Sequence, residues 1–256
     1  MTGPKLSRVL ALGGAHIDRR GQVSGRYVPA ASNPGTMRED VGGGAFNALR
    51  CAVQRGVSAS MLSVRGGDAA GERVAQAIEA AGISDLSAVF LDRTTPSYTA
   101  ILDGDGELIA GFADMGLYEL AFPKQMKRAK VREEIGEADA VLSDANLPTT
   151  ALERLAELAH GRPIFAIAIS PAKAVRLIPV LGRLSLVFMN RRECAAITGL
   201  DGGAAENALV AALRQAGMKG GVVTSGKGPV MGFDEAGAFI VEPPTPRHVA
   251  DVTGAG

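Results

Sequence analysis

The chain has 256 residues, of which 46% are hydrophobic, and it carries 27 basic and 27 acidic residues, so its formal net charge is zero. Charges of both signs are interspersed, which excludes the positive field that steers nucleic acid or anionic membrane and favours a small-molecule ligand. Cys51 and Cys194 have neither the spacing of metal ligands nor the density of a disulfide scaffold, so they are expected to be reduced structural thiols.

Short apolar runs alternate with longer stretches of helical period, which is the pattern of parallel strands joined by crossover helices. The predicted strands are Val9–Gly13, Ser60–Val64, Asp139–Ser143, Pro163–Ile169, Ser185–Met189 and Gly221–Thr224. The predicted helices are Ala45–Arg55, Ala69–Ala81, Thr149–His160, Arg191–Thr198 and Ala204–Ala216. A glycine ends or follows each helix, as helix C-termini prefer: Gly56, Gly82, Gly161, Gly199 and Gly217. The sequence predicts one α/β domain over residues 1–256, built on a doubly wound, mostly parallel sheet.

The first apolar run is at the lower limit of length for a secretory signal, and His16 and Asp18 follow it directly. We therefore interpret it as a buried strand. No run approaches the roughly 18 apolar residues that a membrane helix needs. A soluble, cytoplasmic protein is expected.

Two segments interrupt the alternation of strands and helices. Residues 19–41 are polar and rich in glycine, proline and serine, and residues 96–113 read as a hairpin around Asp103-Gly104-Asp105-Gly106. Both are predicted to form strands outside the main sheet, as a lid over the crevice where such folds bind ligands. Ordinary surface loops are the alternative interpretation.

Asp18 comes just after the first predicted strand, in Gly13-Gly14-Ala15-His16-Ile17-Asp18. A carboxylate at that position can accept hydrogen bonds from two sugar hydroxyls. The glycines also suggest a dinucleotide-binding turn. However, the spacing is not G-x-G-x-x-G and the polar segment 19–41 replaces the expected helix, so an NAD site is disfavoured.

A second group of residues is Gly42-Gly43-Gly44-Ala45-Phe46-Asn47, followed by Gly56 and by Gly66-Gly67-Asp68. Glycines before a helix let the backbone approach a ligand closely, and the amide of Asn47 offers a donor and an acceptor to a sugar hydroxyl. A purely structural turn explains the glycines equally well.

Two further motifs follow late strands. Asn190-Arg191-Arg192-Glu193 opens a helix, where Glu193 suits Mg²⁺ because magnesium accepts few carboxylates plus water and phosphate oxygens. The same residues also fit a helix capping box, and both interpretations can hold together. Thr224-Ser225-Gly226-Lys227-Gly228 follows the next strand, and no P-loop motif is present.

The chain ends at Asp251-Val252-Thr253-Gly254-Ala255-Gly256, a small-residue turn that exposes backbone N–H groups to an anion. This ending resembles the C-terminal signature of the ribokinase-like (PfkB) family of sugar and nucleoside kinases, in which the catalytic aspartate follows the last glycine at once. The resemblance implies a domain that is incomplete at its C-terminus, and we expect the 256-residue chain to be inactive until that aspartate is supplied.

The resemblance to this family covers nearly the whole chain and implies a role for each motif. Asp18, Gly43 and Asn47 would bind the substrate, although the family often has Asn where His16 stands, and Leu49 replaces a small residue. The nucleotide side would use Asn190, Glu193, Thr224, Gly226 and Gly228, with Glu193 reaching Mg²⁺ through water. The Thr224–Gly228 loop is one residue shorter than the family pattern. Asp251 and Thr253 would hold a monovalent cation such as K⁺, beside an anion hole formed by Gly254, Ala255 and Gly256.

Within the family the chain most resembles pseudouridine kinases, through stretches that include Ser32-Asn33-Pro34-Gly35 and Asp144-Ala145-Asn146-Leu147-Pro148. This resemblance implies ATP-dependent phosphorylation of a nucleoside 5-hydroxyl. It adds these residues to the substrate side: Asn33, Tyr98, Thr99, Asp114 and Asn146. A homodimer that pairs through the lid is also expected. The alternatives are a kinase for ribose or a ketodeoxy sugar acid, and a noncatalytic sugar-binding or nucleoside-binding protein.

Overall fold

The computed structural model describes residues 8–244 of the chain. The chain divides between Arg128 and Ala129 into two compact units. Within the part that is described, no helix is long and apolar enough to cross a membrane. Asp251, Thr253, Gly254, Ala255 and Gly256, the predicted cation and anion-hole residues, lie outside the described residues.

The described part of the first unit is rich in short strands. Its elements, in chain order, are β1 Arg8–Leu12, β2 His16–Val23, β3 Gly35–Gly42, α1 Gly44–Val53, β4 Ser58–Leu62, β5 Val64–Gly66, α2 Ala69–Ala80, β6 Ser84–Asp85, β7 Ala88–Phe90, β8 Ser97–Leu102, β9 Leu108–Asp114 and α3 Gly116–Gln125.

These strands form separate groups. β1, β4 and β6 pair in parallel, and β5 and β7 form a parallel pair. A four-stranded sheet has the order β3-β2-β8-β9, with β2 antiparallel to β3 and parallel to β8. Each of the two segments predicted to form strands outside the main sheet, 19–41 and 96–113, contributes to two strands of this sheet.

The second unit alternates helices and strands. Its elements are α4 Ala129–Glu137, β10 Ala140–Asp144, α5 Thr149–Leu158, β11 Ile164–Ile167, α6 Pro171–Ala174, a 3₁₀ helix Val175–Arg183, β12 Leu186–Asn190, α7 Arg191–Thr198, α8 Glu206–Gln215, β13 Gly221–Ser225, β14 Gly228–Phe233 and β15 Ala238–Val241. β10 to β13 are parallel neighbours in chain order, and β14 and β15 extend the edge antiparallel.

The six predicted strands and five predicted helices are all present, and each end lies within two residues of the predicted one. The predicted helix-ending glycines all have positive φ: Gly56, Gly82, Gly161, Gly199 and Gly217. The sequence pattern did not predict α3, α4, α6, the 3₁₀ helix or the strands β5, β6, β7, β14 and β15. β10 is buried along its whole length, and its apolar run from Ala140 to Leu142 indicated a strand.

Candidate active site

Asp18 lies within β2 and not in a loop after β1. Only Gly13 to Ala15 separate the two strands. A dinucleotide-binding turn leads from its strand into a helix, and here the chain continues as a second strand. Asp18 is in register with Asp40 on β3 and with Tyr98 on β8, so the three side chains share one face of the four-stranded sheet.

Two glycines shape the space around the Asp18 carboxylate. A Cβ at Gly42 would overlap Asp18 Oδ2, and a Cβ at Gly43 would overlap the carbonyl oxygen of Gly14. Gly43 also has a φ of 115°, which side-chain-bearing residues rarely adopt. The glycine pair is therefore required for close packing, whatever ligand binds beside it.

The other carboxylate oxygen of Asp18 faces a buried histidine. His16 Nε2 lies 3.2 Å from Asp18 Oδ1, and His16 Nδ1 lies 3.1 Å from Tyr118 Oη on α3. The Tyr118 hydroxyl is 3.2 Å from the carbonyl oxygen of Ala15, which accepts from it. Sequence reasoning missed Tyr118, which is 102 residues from His16. In the sequence, the one sign of this contact is that His16 stands where the family often has Asn.

Asn47 lies in the first turn of α1, where its backbone N–H donates to the carbonyl of Gly43. Its side-chain oxygen accepts a hydrogen bond from Arg50 at 3.2 Å. Leu49, the departure from the family pattern, is fully buried on the core-facing side of the helix with Phe46. Its larger side chain therefore fills core space, while Asn47 remains half-buried on another side.

The lid residues named by the sequence analysis do not share one surface. Tyr98 lies across Gly111, where a Cβ would come within 2.6 Å of Tyr98 Oη, and it faces the same side as Asp18. Thr99 is in register with Arg19 and Phe112 on the opposite side. Because alternate residues of a strand face opposite ways, Tyr98 and Thr99 cannot contact one ligand from a single face.

Asn33 holds its own loop together. Its side-chain oxygen accepts from the backbone N–H of Val28 at 2.8 Å, and its amide nitrogen donates to the carbonyls of Val28 and Ala31. These bonds use both amide hydrogens, so a ligand contact through Asn33 is left to its oxygen. Asp114, at the end of β9, lines a cleft of about 230 Å³ together with Arg93, Pro96 and Leu117.

In the second unit, Asn146 is buried just after β10. Its Oδ1 accepts a hydrogen bond from Lys173 Nζ at 2.5 Å, and its backbone N–H donates to Asp144 Oδ1 at 3.0 Å. An ammonium group only donates, so Lys173 fixes which end of the Asn146 amide is oxygen. Among residues 8–244, Asn146 Nδ2 has no hydrogen-bond partner. This buried donor fits an oxygen-rich ligand, because a buried donor left unpaired costs free energy.

Asn190 and Glu193 form the predicted capping box at the start of α7. Asn190 Oδ1 accepts from the Glu193 backbone N–H at 3.0 Å, and Glu193 Oε2 accepts from the Asn190 backbone N–H at 2.8 Å. Burial raises the pKa of Glu193, although the hydrogen bonds from Asn190 oppose the shift. Since Oε1 is not part of the box, the structural role leaves one carboxylate oxygen for a cation or its water.

The Thr224–Gly228 segment, expected as a shortened loop after a strand, is a tight hairpin turn between β13 and β14. Ser225 pairs with Gly228 across the turn, and Gly226 has a φ of 59°. Glycine at the first central position is typical of two-residue hairpins. The turn is this tight because β14, which the sequence pattern did not predict, begins at Gly228.

Arg191 connects the two motifs of the second unit. Its Nε donates to Ser225 Oγ at 3.2 Å, and its NH1 donates to the carbonyls of Gly202 and Ala204 at 3.1 and 3.0 Å. The guanidinium therefore ties the start of α7 to the hairpin turn. Sequence reasoning assigned no role to Arg191, because these partners are distant in the chain.

Comparison with known proteins identifies the family. The family described as pfkB family carbohydrate kinase matches residues 6–256. The Escherichia coli (strain K12) pseudouridine kinase is 28% identical over 251 residues, which are 97% of this chain and 80% of that protein. The uncharacterized sugar kinase YeiI of the same organism is 29% identical over 213 residues, covering 82% of this chain and 58% of YeiI.

Solved structures agree with this result. A carbohydrate kinase from Agrobacterium tumefaciens is 47% identical, with a TM-score of 0.84 over 98% of this chain and 80% of that one. Arabidopsis thaliana ribokinase complexed with ribose and ATP has the same TM-score, 0.84, at 19% identity, over 98% of this chain and 82% of that one. The second likeness concerns the fold alone. The predicted α/β fold with a mostly parallel, ribokinase-like sheet is confirmed.

Proposed function

Because the chain belongs to the pfkB family of carbohydrate kinases, we propose that it transfers the γ-phosphoryl group of ATP to the 5-hydroxyl of a nucleoside, with pseudouridine as the substrate. The observation that carries the nucleoside proposal is the shared face of Asp18 and Tyr98. A carboxylate accepts hydrogen bonds from ribose hydroxyls, and an aromatic ring on the neighbouring strand suits an attached base. The 28% identity to a pseudouridine kinase supports the choice of nucleoside.

On the substrate side, Asp18 and Asn47 bind the ribose, while Gly43 lets the backbone come close to it. Tyr98 borders the base. We assign Asn33 and Asp114 to the rim of the same site. The substrate role of Thr99, which lies on the opposite face of the sheet, stays a prediction from the sequence. The substrate role of Asn146, in the second unit, stays a prediction from the sequence, and its buried donor Nδ2 suits a substrate oxygen.

On the nucleotide side, Asn190 and Glu193 fit a magnesium-bound triphosphate. Magnesium prefers carboxylate, water and phosphate oxygens, and Glu193 offers the oxygen that the capping box does not use. Bound Mg²⁺ neutralises charge on the phosphates as the phosphoryl group moves. Thr224, Gly226 and Gly228 border the nucleotide from the hairpin turn that Arg191 holds in place. The roles of Asp251, Thr253 and Gly254–Gly256 stay predictions from the sequence.

The test is a substrate panel with the full-length protein. Pseudouridine, uridine, ribose and 2-keto-3-deoxygluconate are each supplied with Mg-ATP, and ADP release and the site of phosphorylation are measured. We expect pseudouridine to have the highest kcat/KM, with the phosphate on its 5-hydroxyl. Preference for ribose or the sugar acid would overturn the nucleoside assignment. Tight nucleoside binding without ADP release would favour a noncatalytic binding protein.

The four-stranded sheet supports a second proposal, that residues 19–41 and 96–113 form a lid that also pairs two copies of the chain. Met37 and Phe112 lie on the face opposite Asp18 and are 55% and 69% exposed. Exposed apolar side chains on a sheet favour association with a second sheet. Added nucleoside should slow hydrogen exchange in both segments, and sedimentation should show a dimer. Unchanged exchange in a sample that binds nucleoside would contradict the lid.

A further inference from the structure

The geometry around Asp18 points to His16 as a positioning residue: we propose that His16, braced by Tyr118, holds the Asp18 carboxylate in the orientation that binds the sugar. The proposal rests on the substrate role proposed for Asp18. It assigns His16 and Tyr118 no contact with the substrate, so both act only through Asp18.

His16 and Tyr118 are much less exposed than Asp18. His16 is 7% exposed and Tyr118 is fully buried, whereas the Asp18 side chain is 28% exposed. Of these three side chains, that of Asp18 is therefore the most exposed to solvent. Whatever His16 contributes to ligand binding must pass through its contact with this carboxylate.

The imidazole ring is held at both of its nitrogens. A carboxylate only accepts, so His16 Nε2 donates to Asp18 Oδ1, while Nδ1 lies 3.1 Å from Tyr118 Oη. Rotating the ring by 180° about its χ2 bond would put carbon atoms in both places and lose both contacts. The one hydroxyl proton of Tyr118 has two acceptors within reach, His16 Nδ1 and the Ala15 carbonyl oxygen at 3.2 Å, so the hydroxyl is held between them.

Asp18 is in turn held at one carboxylate oxygen, and the missing side chain of Gly42 makes room for the other. Oδ1 faces His16, and Oδ2 lies over Gly42 at the point where any Cβ would overlap it. A carboxylate that is fixed in this way presents Oδ2 in one direction. A binding group that is already oriented loses less conformational freedom when the ligand arrives, which favours affinity.

The test uses variants that remove the brace but keep Asp18. Tyr118→Phe deletes only the hydroxyl, and His16→Gln removes the ring while keeping a polar side chain. We expect the KM for pseudouridine to rise about tenfold to 100-fold, the range typical of partners that orient metal ligands. The kcat and the affinity for Mg-ATP should stay near those of the parent protein. Equal rises in KM for nucleoside and ATP would overturn the proposal.

Phe122→Leu is the matched control. Phe122 is fully buried and packs on Tyr118 with ring centroids 5.4 Å apart, and it is absent from the chain of contacts that reaches Asp18. This variant should lower the unfolding midpoint without raising the KM for the nucleoside. A rise in KM as large as that of Tyr118→Phe would show that general loosening of α3 explains the effect.

A double-mutant cycle separates this proposal from the proposed function. In an Asp18→Asn background, His16→Gln should add little further loss of pseudouridine affinity, because the oriented carboxylate is already gone. If Asp18→Asn alone leaves the affinity unchanged, the substrate role of Asp18 fails. If Asp18→Asn weakens binding but His16→Gln and Tyr118→Phe do not, only the positioning role fails.

Discussion

The candidate substrate side and the candidate nucleotide side are built in opposite ways. Asp18, in the first unit, is oriented by His16, whose other contact, Tyr118, is 102 residues from it. Asn190 and Glu193, in the second unit, are three residues apart and hold each other. The first arrangement forms only when distant elements pack together, whereas the second forms with a single turn of helix.

This difference predicts different costs of mutation. In the first unit, binding and folding are assigned to different residues: Asp18 faces the ligand, while the glycines and Tyr118 pack beneath it. In the second unit, Asn190 and Glu193 cap a helix with the same side chains that are proposed to bind the magnesium-bound triphosphate. Mutations in the first unit should therefore change either affinity or stability, and mutations in the second should change both unless the cap is preserved.

The largest expected effect is on folding of the first unit, from Gly43→Ala. The new Cβ would overlap the Gly14 carbonyl oxygen, and the φ of 115° would be strained. We expect a loss of about 2 to 5 kcal/mol of unfolding free energy, measured by urea denaturation. Gly25→Ala is the control, because Gly25 also has positive φ but nothing lies within 4 Å of its Cβ. It should lose only about 1 to 2 kcal/mol, and equal losses would show that packing against Gly14 is unimportant.

Asp18→Asn should separate affinity from stability in the first unit. His16 Nε2 would hold the amide oxygen, so the substrate would meet an NH₂ donor where it now meets an acceptor. We expect calorimetry to show pseudouridine binding weakened by about 1 to 3 kcal/mol, with little change in the unfolding midpoint. Asp40→Asn is the control, since Asp40 lies beside Asp18 on the same face of the sheet. Its side chain is 63% exposed and pairs with Arg20. Equal weakening by both variants would contradict the assignment.

Glu193→Gln should separate the two roles in the second unit. Glutamine at this position preserves the capping box, so the helix start should remain intact. Removing the carboxylate should lower Mg-dependent turnover by about tenfold to 100-fold. Asn190→Ala, by contrast, should cost about 1 kcal/mol of stability through the lost cap. If Glu193→Gln leaves turnover unchanged, Glu193 is a capping residue only.

The raised pKa of Glu193 adds a pH dependence to this test. Burial disfavours the ionised form of Glu193, so its pKa is higher in the folded chain than in the unfolded chain. The stability contributed by the neutral carboxyl group is therefore fully present at pH values below the unfolded pKa. It is lost as the pH rises through the higher pKa of the folded state. Glu193→Gln has no such loss and should gain stability relative to the parent as the pH rises from below the unfolded pKa of Glu193 to above its folded pKa. A difference that does not change with pH would contradict a buried, ionising Glu193.

Elements with a local signal were predicted well, and the rest were missed for physical reasons. The buried strand β10 and the capped helix α7 carry their patterns within a few residues. Helix α3 contains Pro123, a helix breaker, and no side-chain cap at its start. Every residue of β15 is exposed, so no buried alternation marked it as a strand.

The candidate site divides in the same way. The capping box of Asn190 and Glu193 was predicted because both of its hydrogen bonds are encoded three residues apart. Three other contacts depend on packing between separate elements. They are the contact of Asp18 with Gly42, the contact of Tyr118 with His16 and the hydrogen bond from Lys173 to Asn146. His16 differs from the Asn that the family often has, which indicated an unusual position but did not indicate Tyr118 as its partner.

The smallest expected effect compares two helix N-caps, one in each unit. Asp68 caps α2 by accepting from Gly71 at 2.8 Å, as Asn190 caps α7, but it also accepts from the backbone and hydroxyl of Thr95, 27 residues away. Burial alone would raise the pKa of Asp68, yet the bonds from Thr95 and Gly71 together lower it. Its ionised form therefore adds stability above the unfolded pKa, which is lost as the pH falls through the folded one. We expect Asp68→Asn to cost about 1 kcal/mol near neutral pH, with the difference from the parent vanishing in acid as Asp68 becomes neutral. Urea denaturation across that range measures it, and a cost that persists at the lowest pH would show that geometry, and not charge, ties Asp68 to Thr95.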